Sequence, residues 1–305
     1  MGIDLSVKTG NIVFSNPIIP ASGTFGFGRE IGQLYDLSVL GGLVSKGVTR
    51  FPRKGNPPAR IAETSSGMLN SVGLQNPGIL RFIDEELGHF TSLGCVSIVN
   101  IAGNSVDEYV EMAEMLQNTN CDIIELNLSC PNVKEGCMAF GNNIKGIESV
   151  VKTVRKVSTK PLWVKLTPNT TSISDNAKAA EACGADAISL VNTFLGLAID
   201  LKTRRPVSKN NYGGLSGPAI KPIALRMVNE VYRSVSLPVI GMGGIMNATD
   251  VLEFMMAGAT AVQIGTANLV NPYVCNDIIN DLEIVLNDIG VTEISSIIGS
   301  LKLWE

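Results

Sequence analysis

The sequence predicts a (β/α)8 barrel, and three observations carry that expectation. The first is composition. Of 305 residues, 45 % are hydrophobic but only 5 % aromatic, and glycine occurs 31 times, a mixture that suits buried parallel strands flanked by helices better than an aromatic-rich sandwich. The second is rhythm, since short apolar runs alternate with longer amphipathic stretches along the whole chain. The third is that these runs lead into polar, glycine or reactive residues at their C-terminal ends, the rim on which a barrel carries its active site.

In chain order, residues 5–14 (LSVKTGNIVF) read as a small hairpin closing the lower end of the barrel. Strands are expected at 18–22 (IIPAS), 41–48 (GGLVSKGV), 95–102 (CVSIVNIA) and 122–129 (DIIELNLS). Four more follow at 162–167 (LWVKLT), 187–193 (AISLVNT), 238–243 (PVIGMG) and 261–266 (AVQIGT). Helical patterns cover 77–93, 105–118, 142–158, 174–184, 220–235, 247–257 and 273–289. Pro77 and Asn247 stand near helix starts, where they suit first-turn and capping positions. Two long connections, 49–76 and 194–218, leave the predicted active rim, and loops of that length in a compact domain are usually lids or binding elements. Residues 1–305 read as a single domain.

Charge and cysteine content narrow the function. Twenty-four Lys and Arg against 28 Asp and Glu give a net charge of −4, and no basic stripe of the kind that binds nucleic acid is present. The six cysteines include no CxxC pair and form no disulfide framework, so free thiols in a reducing cytoplasm are expected. A single histidine, His89, argues against a Ser-His-Asp triad or a multi-His metal site, and it falls in a helical pattern as a surface or packing residue. The N-terminus lacks the basic and apolar regions of a signal peptide. The uncharged run 254–276 contains polar residues and glycines and changes from helical to strand pattern, which suits buried structure better than a membrane span.

At the rim, GMGGI (241–245) and QIGTA (263–267) end the seventh and eighth strands in glycines, which admit backbone N–H groups to an anion and suit a phosphate site. Gly217, in GGLSGPAIKP (213–222), can supply a third backbone edge. Tight strand-to-helix packing is the plainer explanation for any one of these glycines. Lys46 and Lys165 lie inside apolar strands, where a lysine is rarely buried unless paired or functional. Lys165 could stabilise an anion, form a Schiff base, or simply reach for solvent. Cys130, in NLSCPN (127–132), could act as base or nucleophile once its pKa is tuned. Cys95, Cys121 and Cys183 read as structural, while Cys137 and Cys275 carry no assignment. Asn70, Asn100, Asn127, Asn132 and Asn192 offer paired donors and acceptors suited to a flat heterocycle with imide groups. No metal-ligand spacing appears.

Taken together, PASGTFGFG (20–28), SKGVT (45–49), NSVGLQNPG (70–78), NLSCPNVKEG (127–136), VKLTPN (164–169), VNT (191–193), GGLSGPAIKP, GMGGI and QIGTAN (263–268) closely resemble dihydroorotate dehydrogenases over nearly the whole chain. Cysteine in NLSCPN, the segment PNVKEGCMAFG (131–141) and GGLSGPAIKP resemble the NAD-linked, two-subunit class 1B. The quinone-linked class is similar but has an N-terminal extension and serine at the base position. Cys137 stands where the family often has a small residue.

The resemblance implies FMN across the C-terminal rim. Ser22, Lys46, Gly47, Asn100, Asn127, Lys165 and Val191 match positions along its isoalloxazine and ribityl parts, and Gly217, Gly243, Gly244, Gly265 and Thr266 match its phosphate cradle. Lys46, Asn70, Ser71, Val72, Gly73, Leu74, Asn127, Asn192 and Thr193 match the dihydroorotate pocket. Cys130 matches the base that takes the C5 proton while hydride leaves C6 for the flavin, and Lys165 would stabilise negative charge on the reduced flavin. The resemblance further implies a partner subunit carrying FAD and a [2Fe–2S] cluster, an assembly of two catalytic and two electron-transfer chains, and NAD⁺ as acceptor. A fumarate-dependent homodimer, a related enzyme acting on dihydropyrimidines, and, from other classes, a Schiff-base aldolase using Lys165 or a non-catalytic binder of phosphate ligands are the competing readings.

Overall fold

In the N-terminal segment Val7, Thr9 and Phe14 are buried while Lys8 and Val13 face outward. This alternation folds β1 (Val7–Thr9) and β2 (Ile12–Phe14) into the expected antiparallel hairpin, turned at Gly10 with φ +58°. Phe14 stacks on Trp163 with ring centroids 5.9 Å apart, so the hairpin stoppers the end of the barrel opposite the active rim. The computed structural model describes residues 2–128 and 140–304.

Fourteen further strands follow in chain order. They are β3 (Ile18–Pro20), β4 (Gly42–Val44), β5 (Ile61–Thr64), β6 (Gly67–Asn70), β7 (Val96–Ile101), β8 (Ile123–Asn127) and β9 (Leu162–Lys165), then β10 (Ala187–Leu190), β11 (Phe194–Gly196), β12 (Ile199–Asp200), β13 (Arg205–Pro206), β14 (Gly213–Ser216), β15 (Val239–Met242) and β16 (Ala259–Ile264). Eight of them form one parallel sheet in the order β3-β16-β15-β10-β9-β8-β7-β4. Nearly every residue in these eight strands is buried, as expected for strands covered on both faces. The seam between β3 and β4 is closed by the Gly41 amide donating to the Ile18 carbonyl at 3.1 Å. Buried Asn16 bridges the same seam, accepting from the amides of Ile18 and Gly41, both at 3.1 Å. The architecture is a (β/α)8 barrel.

The barrel helices match their sequence patterns closely, because capping residues mark their starts. Ser105, Asn143, Ser172 and Asn247 each accept a first-turn backbone N–H, at the helices Val106–Gln117, Ile144–Val157, Ile173–Ala182 and Ala248–Ala257. Pro77 does not take the first-turn position expected of it. Gly78, at φ +83°, stands between it and the helix that begins at Ile79, and the single helix expected over 77–93 widens to a π-type turn at Phe82–Glu86 before ending at Phe90.

The expected strands overrun the observed ones at the active rim. The sixth ends at Leu190 rather than 193 and the second at Val44 rather than 48. Past those points the regular strands stop and the chain lines a cavity, the second touching β7 again at an isolated parallel bridge between Val48 and Ile101. The two long connections hold regular structure that the sequence pattern did not reveal. Strands β5 and β6 from one and β11 and β14 from the other join in a four-stranded antiparallel sheet, β11-β14-β6-β5, which roofs the rim. Among the described residues no helix is long and apolar enough to cross a membrane.

Candidate active site

Parallel pairing brings the strand ends into one ring. Asn127 at the end of β8 lies beside Lys165 at the end of β9. The roof strand β6 pairs with β14, with Asn70 opposite Gly214. Between barrel and roof lies a cavity of ≈ 310 Å³. Ser22, Lys46, Gly47 and Asn127 line it with Lys165, Val191, Asn192 and Thr193, and the roof contributes Asn70, Val72, Gly73 and Leu74. Gly217, Gly243, Gly244, Gly265 and Thr266 line it as well. Cys130, Asn132 and Cys137 lie outside the described residues.

Two candidates stand back from the cavity wall. Ser71 is fully buried, with its Oγ 2.7 Å from the Ser208 Oγ, because successive residues of an extended segment point to opposite faces and Asn70 takes the inward one. Asn100 is also fully buried, beneath Asn127, whose Nδ2 donates to the Asn100 Oδ1 at 3.3 Å.

The glycine end of the cavity is built from close backbone approach. Gly217, Gly243 and Gly244 have φ of +96°, +129° and +79°, conformations that L side chains rarely adopt. A Cβ at Gly244 would stand 2.8 Å from the Gly217 carbonyl oxygen and 3.0 Å from the Lys221 amide nitrogen, so side chains are excluded and backbone groups are left facing the cavity. Gly217 and Gly244 adjoin the start of the helix Lys221–Tyr232, whose N-terminal dipole favours an anion. Thr266 Oγ1 donates to Ser216 Oγ at 2.8 Å, tying the eighth-strand loop to the roof.

The other end presents side chains. Lys46 and Lys165 are the ionisable groups among the described residues of the lining, and no carboxylate joins them. Burial, and secondarily the Arg60 charge, hold the Lys46 pKa below the ordinary lysine value. Lys165 is 5 % exposed and forms no ion pair among the described residues. The cavity is thus electropositive with a floor of amides. It fits a ligand that carries an anion at the glycine end and a flat polar ring at the other.

Sequence reasoning missed Gln263 and Glu125. Gln263 lines the cavity and is fully buried; its Nε2 donates to Glu125 Oε1 at 2.7 Å, and its Oε1 has no partner among the described residues. Each is a lone polar residue inside an apolar strand, a signal as visible as that of Lys165.

The remaining cysteines have structural surroundings. Burial pushes the thiol pKa of Cys95 up to about 12 and raises those of Cys121, Cys183 and Cys275, the opposite of what a reactive thiolate needs. Cys275, unassigned from sequence, donates its S–H to the Asn268 Oδ1 at 3.1 Å. His89, on the short helix Leu87–Phe90, is not part of the cavity lining.

Comparison with known proteins agrees with this architecture. The family model described as dihydroorotate dehydrogenase matches residues 4–286. The chain is 54 % identical over 303 residues to the dihydroorotate dehydrogenase B (NAD(+)) catalytic subunit of Thermoanaerobacter pseudethanolicus, covering 99 % of this chain and 100 % of that one. It is 52 % identical over 302 residues to the protein of that name from Geobacillus kaustophilus, covering 99 % and 96 %, and 51 % identical over 302 residues to that from Bacillus pumilus, covering 99 % and 97 %. The chain belongs to the dihydroorotate dehydrogenase family. Within the family it groups with the NAD-linked B-type catalytic subunits.

Proposed function

We propose that the chain oxidises (S)-dihydroorotate to orotate in pyrimidine biosynthesis as the catalytic subunit of an NAD-linked enzyme. The observation that carries this reading is one cavity with a backbone-built anion cradle at one end and two lysines among amides at the other. Family membership supplies the reaction.

FMN fits the cavity: Gly217, Gly243, Gly244, Gly265 and Thr266 would hold its phosphate, and the unpartnered Gln263 Oε1 offers an acceptor for a ring N–H. Ser22, Lys46, Gly47, Asn127, Lys165 and Val191 would lie along the rest of it. When bound, FMN supplies the acceptor for the hydride leaving C6 of dihydroorotate. The chain's own work is binding and proton transfer. Lys46 meets the substrate carboxylate, while Asn70, Asn127, Asn192 and Thr193 orient the ring by hydrogen bonds. Cys130 removes the C5 proton, a role that requires its thiolate. Lys165 offsets the negative charge that hydride transfer creates.

A separate subunit holding FAD and a [2Fe–2S] cluster would supply the route from this chain to NAD⁺, in an assembly of two catalytic and two electron-transfer chains. This chain carries no dinucleotide fingerprint of strand, GxGxxG and helix. The test is co-purification with the neighbouring-subunit candidate and assay of dihydroorotate oxidation with NAD⁺ and with fumarate. NAD⁺ turnover that depends on the partner is the expected result. Rapid fumarate turnover by the lone chain, unaffected by any partner, overturns the two-subunit reading in favour of a homodimer. A colourless protein trapped by borohydride overturns flavin chemistry altogether.

A further inference from the structure

Glu125 is fully buried inside the barrel, one layer below the cavity. It accepts from Asn100 Nδ2 at 2.6 Å through one oxygen, and from Ser189 Oγ and Gln263 Nε2, both at 2.7 Å, through the other. No Lys or Arg pairs with it among the described residues. Both Glu125 oxygens act as acceptors in these contacts, so each amide touching it turns its NH2 end inward. Asn100 therefore shows its Oδ1 to Asn127, and Asn127 answers with Nδ2 at 3.3 Å, which turns its own carbonyl end away from Asn100. Gln263, held by its Nε2, directs an Oε1 without a partner among the described residues toward the cavity that it lines. Gly47 keeps the first arm tight: a Cβ there would stand 3.0 Å from the Asn100 Oδ1.

We propose that Glu125 is a positioning residue that sets the polarity of the cavity floor, fixing the Gln263 amide so that its carbonyl oxygen receives a ligand N–H group, and orienting the Asn127 amide through Asn100. The inference rests on the proposed function, since FMN and orotate both carry such ring N–H donors. A glutamine at 125 cannot serve both arms as acceptor, because one end of its amide is a donor. Either Asn100 or Gln263 must then turn round, and one floor acceptor becomes a donor.

The experiment compares wild type with Glu125→Gln by the affinity of apoprotein for FMN and for N3-methylated FMN, and of holoprotein for orotate and for its ring N-methylated forms. Binding is read by flavin fluorescence and absorbance. The FMN arm reports a floor that reads the flavin, and the orotate arm one that reads the pyrimidine. Wild type should discriminate against loss of the N–H in at least one arm, and in Glu125→Gln that preference should shrink by about tenfold, the worth of one hydrogen bond to a buried polar group. Loosened packing would weaken parent and methylated ligand alike and leave the ratio unchanged. An unchanged ratio in both arms overturns the inference. If Glu125→Gln does not fold, Gln263→Met, which removes the unpartnered carbonyl and leaves Asn100 and Ser189 on Glu125, carries the same comparison: the loss of preference is expected, and an unaltered ratio in both arms again overturns the inference. Wild type that binds neither FMN nor orotate overturns the functional reading instead.

Discussion

The two ends of the cavity present groups of opposite kinds. At the Gly217–Gly244 end the groups offered are backbone, placed by positive φ and by contacts too close for a Cβ. At the Lys46–Lys165 end they are side chains, among them the Asn127 and Gln263 amides, which are hydrogen-bonded to residues one layer deeper. Backbone recognition is rigid and indifferent to side-chain chemistry, so it suits an anion common to many ligands. Side-chain recognition is adjustable, and only there can proton transfer and ring selectivity reside. The two ends should therefore fail differently when altered.

The largest effect is expected at the side-chain end. Cys130→Ala should retain FMN and orotate binding yet slow reduction of the flavin by dihydroorotate about 10²–10⁴-fold, the usual worth of a positioned general base. Stopped-flow absorbance checks this, and a near-normal rate removes Cys130 from the mechanism. At the backbone end, Gly244→Val should leave orotate chemistry intact in any molecule that is loaded but weaken FMN binding by roughly 10–100-fold, through strain at a positive φ. Flavin content after dialysis measures it. If the variant keeps FMN stoichiometrically, the cradle is elsewhere.

Lys46 gives a smaller, pH-dependent effect. On the proposed function its protonated form would pair with the substrate carboxylate, and burial holds its pKa below the ordinary 10.5. Orotate affinity should be full below that lowered pKa and fall by about tenfold as pH rises through it; in Lys46→Met the alkaline loss should vanish. For the unliganded protein the sign is reversed. Between the lowered folded pKa and the unfolded one the unfolded chain binds more protons, so this group makes stability rise with pH across that window. Titration of orotate affinity against pH is decisive, and a flat profile up to pH 10.5 would count against Lys46 as the carboxylate partner. The smallest effect belongs to Ser71, which faces Ser208 rather than the cavity. Ser71→Ala should alter orotate affinity by less than about threefold, and a larger change in an equilibrium titration would return the residue to the binding wall.

Much of this could be read in the sequence because each feature rested on local chemistry. Apolar runs such as SIVNI marked buried strands, Asn247 marked a helix start, and the glycines after β15 and β16 fell on the cavity wall. The roof sheet was not legible. Leu69 meets Leu215 across β6 and β14, and no local period announces a partner so distant in the chain. Strand ends were overrun for a related reason. Val191 and Thr193 are as strand-like in type as the residues before them, but with Asn192 they line the cavity where the strand ends. Glu125 and Gln263 were passed over because glycines and asparagines beside them drew the reading, although a carboxylate within IIELN is the rarer event.

The roof has one more consequence. Strand β14 runs directly into Gly217 of the anion cradle, and β6 runs directly into the segment Asn70–Leu74 above the side-chain end. The two strands share a backbone ladder from Gly214↔Asn70 to Ser216↔Met68. The roof is therefore a splint between two subsites. Whatever steadies one strand should lower the entropy that the other must surrender, so on the proposed function filling the cradle and seating the ring are expected to favour each other by the same factor.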